Sequence, residues 1–203
     1  MKYVRSFLPW IVFATIAGRI DWRFTALLGL VMSVVVLAWG RREKKPADAL
    51  VLEISGTVFF ALLTAFACAF HGLGPALHSY VIAMAAGWLA LTAWLSIVAR
   101  VPFTLGIAKT MVAPEVWRSP PFLRVNLVMS GVWALSFTAE AIALAIVLAA
   151  EPAAVVPVIV IKVLAWTVPM GFTFAYPAIL RSRAARRAPA ASTGQLAGPP
   201  VRR

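Results

Sequence analysis

Charge is scarce in this 203-residue chain, and acidic charge is scarcest: Asp, Glu, Lys and Arg make up 13% of it, with 7 acidic residues against 19 basic. An ordinary soluble domain carries about a quarter charged residues, which argues against a soluble enzyme. There is one cysteine, Cys68, so no intrachain disulfide and no cysteine-rich metal site can form. It lies in the apolar run 57–70 and is expected to be a small buried hydrophobe. The two histidines, His71 and His78, flank a short turn with no carboxylate or thiolate beside them to complete a metal site. Catalytic signatures are missing as well. The chain has no GxSxG elbow, phosphate-binding glycine loop, HExxH or CxxC, and no close carboxylate pair in a loop. The expectation is a protein that is not an enzyme and uses no metal or cofactor.

What the chain has in abundance is apolar sequence: 62% of its residues, with a mean hydropathy of +0.90. At roughly 20 residues per spanning helix, that is enough for about six spans. The apolar runs cover residues 7–17, 24–39, 49–70, 77–99, 122–150 and 153–180. The first is short. It reads as an uncleaved span if extended over 4–20 with Arg5 and Arg19 snorkelling to the surface. The alternative is a re-entrant segment or a signal peptide, which its basic start and short apolar centre resemble. The last run contains Pro157, Pro169 and Pro177, each of which is expected to kink a helix and free a carbonyl that a neighbour must satisfy. The predicted fold is all-α, one polytopic helix bundle over 1–180, followed by a disordered basic Ala/Pro/Arg tail over 181–203.

The net charge of +12 would point to nucleic acid in a soluble protein, but here its distribution reads as topology. Lys2 and Arg5, then Arg41, Arg42, Lys44 and Lys45, then Arg100, Lys109, Arg118 and Arg124, and six arginines from 181 onward share one side of six spans. Arg19 and Arg23 are left on the other, and Lys162 lies within a span. By the positive-inside rule both termini are cytoplasmic, and no nucleic-acid partner is needed to explain the charge.

Charges inside apolar runs are costly and therefore informative. Glu140 lies eleven residues before Glu151 and Lys162 eleven after, so a hairpin turning at Glu151-Pro152 puts both at one depth. They form a candidate intramembrane ion pair, either structural or part of a proton or ion relay. Glu53, Arg124 and Asn126 make a candidate cytoplasmic-face cluster. Glu53 and Arg124 either meet or snorkel separately, and Asn126 is expected to bond between helices. In the fourth span Ala83 with Gly87, and Ala86 with Ala90, give a stripe for close packing within the bundle or in a homodimer. Trp10, Trp22, Trp39 and Trp117 fall near predicted boundaries and read as interfacial anchors, whereas Trp88, Trp94, Trp133 and Trp166 read as deeper packing residues.

Between the fourth and fifth spans, Phe103, Ile107 and Met111 recur at four-residue spacing as one apolar helix face, followed by Pro114, Glu115 and Trp117. This loop is expected to lie along the inner interface, as an ordered connector or as a docking face for another protein.

Several short motifs occur together in order: Phe7-Leu8-Pro9, Pro102-Phe103-Thr104-Leu105 after Arg100, Glu115-Val116-Trp117, Arg124-Val125-Asn126-Leu127, Val132-Trp133-Ala134-Leu135-Ser136-Phe137, and Lys162 in the last span. With these the chain, over about residues 5–180, resembles the intracellular septation protein A family of bacterial inner-membrane proteins. The resemblance implies a multi-pass protein linked to cell division and envelope maintenance, with no catalytic residues to carry over. The chain departs from that pattern in Ser119-Pro120-Pro121 and in its long basic tail, which leaves a related branch open. Two further functions remain: a small transporter or channel along a Glu140/Lys162 path, and anionic-lipid binding by the basic face.

The topology is testable in a Cys68→Ser background. A membrane-impermeant thiol reagent should label Ala153→Cys in intact cells and should reach Arg42→Cys or Arg118→Cys only after permeabilisation. The reverse pattern would invert the orientation.

Overall fold

A computed structural model describes residues 2–17, 20–70 and 74–187, and all regular structure among them is helical. The helices are α1 (Lys2–Ile16), α2 (Trp22–Arg42), α3 (Val51–Ala69), α4 (Gly74–Val98), α5 (Phe103–Lys109), α6 (Pro120–Ala150) and α7 (Val155–Arg187), with 3-10 turns at Ala47–Leu50 and Pro114–Val116. Five of them, with the first 3-10 turn counted into α3, are long and apolar enough to cross a membrane. α1 is not: its 15 residues cover about 22 Å, against a hydrocarbon core of about 30 Å. The expected sixth span is thus a shorter helix. The tail expected from 181 begins instead as the end of α7, which runs to Arg187. Residues 188–203, His71, the side chain of His78 and Arg19 lie outside the described part.

α1 is nonetheless central. Phe7, Trp10 and Phe13 recur at three-residue spacing, so one face of the helix is aromatic, and all three are buried. Trp10 stacks on Phe59 at 5.1 Å, Phe13 meets Phe60 edge-on at 5.2 Å, and Phe7 stacks on Trp133 at 5.5 Å with Trp166 edge-on at 5.0 Å. Each such pair adds about 1 kcal/mol beyond burial. Trp10 and Trp22 are therefore core residues, not interfacial anchors. Phe59, Phe60 and Trp133 pack on the face that α1 supplies. A second, aliphatic cluster joins Ala83 and Ala86 of α4 to Leu144 and Leu148 of α6. The small-residue stripe is consequently occupied inside the bundle, where Ala141 lies beside Gly87, and is not free for a homodimer. Cys68 also departs from expectation, being exposed on the outer face of α3.

The outer surface is apolar over most of the helices, with Phe24, Val31, Leu62, Leu95, Leu135, Ile146 and Val156 all exposed. In water so much apolar surface would drive aggregation, whereas against lipid it is the required finish.

Two helix ends share one device. α2 closes with Lys45 N–H donating to the Gly40 carbonyl and Lys44 N–H to that of Arg41. α4 closes with Val101 N–H on Ser96 and Arg100 N–H on Ile97. Lys44 (φ 54°) and Arg100 (φ 60°) occupy the left-handed position that such caps need, where glycine is usual. Pro46 and Pro102 follow two residues later and stop the helix from continuing.

α5 lies against the 47–50 turn at the backbone level. A Cβ on Gly106 would overlap the Asp48 carbonyl and the Ala49 Cα, which are main-chain atoms with no freedom to swing away. Gly106→Ala should therefore lower stability by about 1–3 kcal/mol, the usual cost of overpacking, while Gly131→Ala, which meets nothing within 4 Å, should be tolerated. Thermal unfolding in detergent reads both. Equal behaviour of the two would contradict the close approach.

Candidate functional site

Among the described residues, three places hold groups of polar side chains that bear on the expected site residues. The first is the seam between α6 and α7. Pro169 is fully buried within α7 and has no N–H to give the Ala165 carbonyl four residues earlier. Ser136 of α6 donates its hydroxyl to that carbonyl at 2.8 Å, so a neighbouring helix satisfies the group that the proline leaves free. Pro157, by contrast, sits in the first turn of α7, where N–H groups have no helical partner, and it neither breaks nor kinks the helix. One turn below Ser136, Trp133 Nε1 donates to Thr173 Oγ1 at 3.0 Å, and that hydroxyl donates to the Pro169 carbonyl at 2.8 Å. One turn above, Lys162 Nζ lies 3.4 Å from Glu140 Oε1. The two residues set at equal depth by the sequence are thus brought together. Glu140 is 3% exposed and its Oε2 has no partner among the described residues. Lys162 is less enclosed, because it lines a cleft of about 840 Å³ between α1, α4, α6 and α7.

The second place is the end carrying the basic loops. Glu53 is buried, with Ser6 Oγ donating to its Oε1 at 2.8 Å and Lys45 Nζ 3.6 Å away. Arg5 binds Glu43 through two guanidinium nitrogens at 2.6 and 3.0 Å and lies 4.7 Å from the Trp39 ring centroid. Arg124 is exposed on α6 and has no contact with Glu53, so the grouping of Glu53, Arg124 and Asn126 is not formed. Ser6 and Lys45 take Arg124's place because α1, not α6, lies against the start of α3. Sequence reading passed over Ser6. Its only signal was a small hydroxyl one residue from Arg5 at the start of an apolar run, which many structural serines share.

The third place is the mount of α5. Phe103 N–H donates to Ser96 Oγ at 3.1 Å. Thr104 Oγ1 donates to the Asn126 carbonyl at 2.9 Å and lies 2.8 Å from Ser130 Oγ. Asn126 does not bond between helices through its side chain: its Nδ2 donates to the Phe122 carbonyl within α6, at 2.8 Å. Lys109 pairs with Asp48 and stands 5.5 Å over the Trp117 ring, whose Nε1 donates to the Val112 carbonyl. The loop therefore splits into two parts. Phe103, Thr104, Leu105 and Gly106 are buried and Ile107 is half-buried. Met111, Val112, Glu115 and Val116 are exposed beyond them. The expected single apolar face from Phe103 to Met111 does not exist, because α5 stops at Lys109 before Met111 can join it.

No family model matches the chain, and neither does any curated protein or solved structure.

The seam makes a sign-specific prediction. Lys162→Met alone leaves the Glu140 carboxylate buried without its cation and should cost about 3 kcal/mol or more. Adding Glu140→Leu should recover most of that loss. Chemical denaturation in mixed micelles tests it, and a double variant no more stable than Lys162→Met would show that the two charges are not coupled.

Proposed function

We propose that the chain is a non-enzymatic multi-pass protein of the bacterial cytoplasmic membrane, with both termini on the cytoplasmic side, that works by holding a fixed cytoplasmic surface out to a protein partner. The carrying observation is the mounting of α5. Buried hydrogen bonds to Ser96 and Ser130 fix its start and the half-buried Lys109–Asp48 pair fixes its end, so the segment that follows is held in place. That segment presents Met111, Val112 and Val116, all exposed, with Arg118 exposed two residues beyond Val116. An apolar tip beside a guanidinium group is complementary to a short acidic, amphipathic segment. The link to the division or envelope machinery comes from the resemblance in the short motifs; five of the six quoted lie in α1, α5, the 114–116 turn or α6, and Lys162 lies in α7.

The transporter reading gains less support. It needs a hydrated route to Glu140 or Lys162, whereas Glu140 is enclosed and the cleft at Lys162 is otherwise lined almost wholly by apolar side chains.

A photo-crosslinking residue placed at Met111 or Val116 in cells should capture one and the same protein, and Val116→Glu should abolish capture from position 111. The control position Val160 should yield lipid adducts only. Lipid adducts at all three positions would reduce the segment to an interfacial connector. The deletion that removes the surface while sparing the core is 111–118, because Phe103 and Thr104 are buried.

A further inference from the structure

The cleft beside Lys162 exists because α1 and α7 separate. They touch at Phe7, which packs edge-on against Trp166 at 5.0 Å. Beyond that contact the helices diverge, and Ile11, Ala14 and Thr15 of α1 face Ile159, Lys162 and Trp166 of α7 across open space. The turn at 152–154 closes the far end. From Trp166 to Val155 is eleven residues of helix, about 16 Å, which matches one leaflet's share of a hydrocarbon core about 30 Å thick. The volume, about 840 Å³, lies within the range of ligand-binding cavities.

Its opening faces sideways. Ile11, Val155, Ile159 and Val163 on its walls are all exposed on the apolar flank of the bundle. An apolar chain can therefore enter from the membrane. Lys162 is the one charged residue in the lining, in a cleft that is otherwise apolar apart from Thr15. An ammonium has three protons to donate, and the 3.4 Å contact with Glu140 takes up only one. Side chains on a helix lean toward its N-terminus, which for α7 is the end at the 152–154 turn, so the Lys162 stem inclines toward that end while its ammonium stays within 3.4 Å of Glu140.

From this geometry we infer that the cleft holds an acyl chain of an anionic phospholipid, drawn from the leaflet opposite the basic loops, with its phosphate at the Lys162 ammonium. The apolar walls take the chain, and the spare protons of Lys162 select the charge. This site is separate from the basic cytoplasmic face and from the Met111–Val116 surface. It makes the protein a binder of one lipid class at a defined position, and the bound chain fills the gap that the short α1 leaves.

The test uses the full chain in vesicles containing phosphatidylglycerol and phosphatidylcholine at three to seven. A photo-crosslinking residue replaces Ile11, inside the cleft, or Val160, on the lipid-facing side of α7 and outside it. Mass spectrometry then reads the ratio of the two lipids in the adducts. At Ile11 that ratio should exceed the bulk ratio by about fivefold, the enrichment one lysine gives near a membrane surface. At Val160 it should equal the bulk ratio. Lys162→Arg should keep the enrichment and Lys162→Gln should remove it. Ala14→Phe, which fills the cleft without touching the charge, should reduce lipid adducts at Ile11 severalfold, so the proposal does not depend on Lys162→Gln folding well. A bulk ratio at Ile11 with the native lysine would overturn the proposal, as would adducts to protein in place of lipid or adducts unchanged by Ala14→Phe.

Discussion

A polar atom inside a bilayer has no water to bond, so it must find its partner within the protein, and the arrangement of α6 and α7 depends on that constraint. Pro169 removes one N–H from α7, and the carbonyl it leaves at Ala165 is answered by Ser136 across the seam. Trp133 and Glu140 stand one turn to either side of Ser136 and meet Thr173 and Lys162. Three polar contacts on one face of α6 thus fix both the rotation and the height of α7. A slip of one residue would break all three together, which is the sense in which buried polar groups specify a register.

α1 is held by different means. It is too short to cross unaided, and its position comes from packing, with Phe7, Trp10 and Phe13 set into the centre of the bundle. One charge-bearing contact ties its start to the loop after α2, where Arg5 meets Glu43. The two devices have a joint consequence. α7 is tied to α6 along the seam while α1 packs chiefly against α2 and α3, so the flank between α1 and α7 is left open beyond Phe7 and Trp166.

Much of this was legible in the sequence. The five long apolar helices follow from run length alone, and the facing depth of Glu140 and Lys162 follows from counting to the turn at Glu151-Pro152. The partner of Ala165 was foreseeable only as a requirement, since a proline says that a carbonyl is freed and not which hydroxyl will answer it. The partner of Glu53 could not be counted out, because it depends on which helix packs against α3, and helix adjacency leaves no periodic mark in one chain. Trp10 and Trp22 were misplaced for a related reason. Tryptophan near a span end reads as an anchor, but burial is decided by a neighbour's face. The split in the loop after α4 turned on Gly106, whose missing Cβ allows the approach to Asp48.

The central claim is that the α6–α7 seam is a dry structural joint beside a cleft that is open to lipid. A spin-label accessibility scan along residues 155–180, in the full chain in vesicles, tests it most directly. Oxygen, which partitions into lipid, should relax labels at 156, 159, 160, 163, 164 and 168, and a water-soluble nickel complex should reach none of them. Nickel access at 159 and 163, on the walls of the cleft, would mean a hydrated path to Lys162 and would contradict the account.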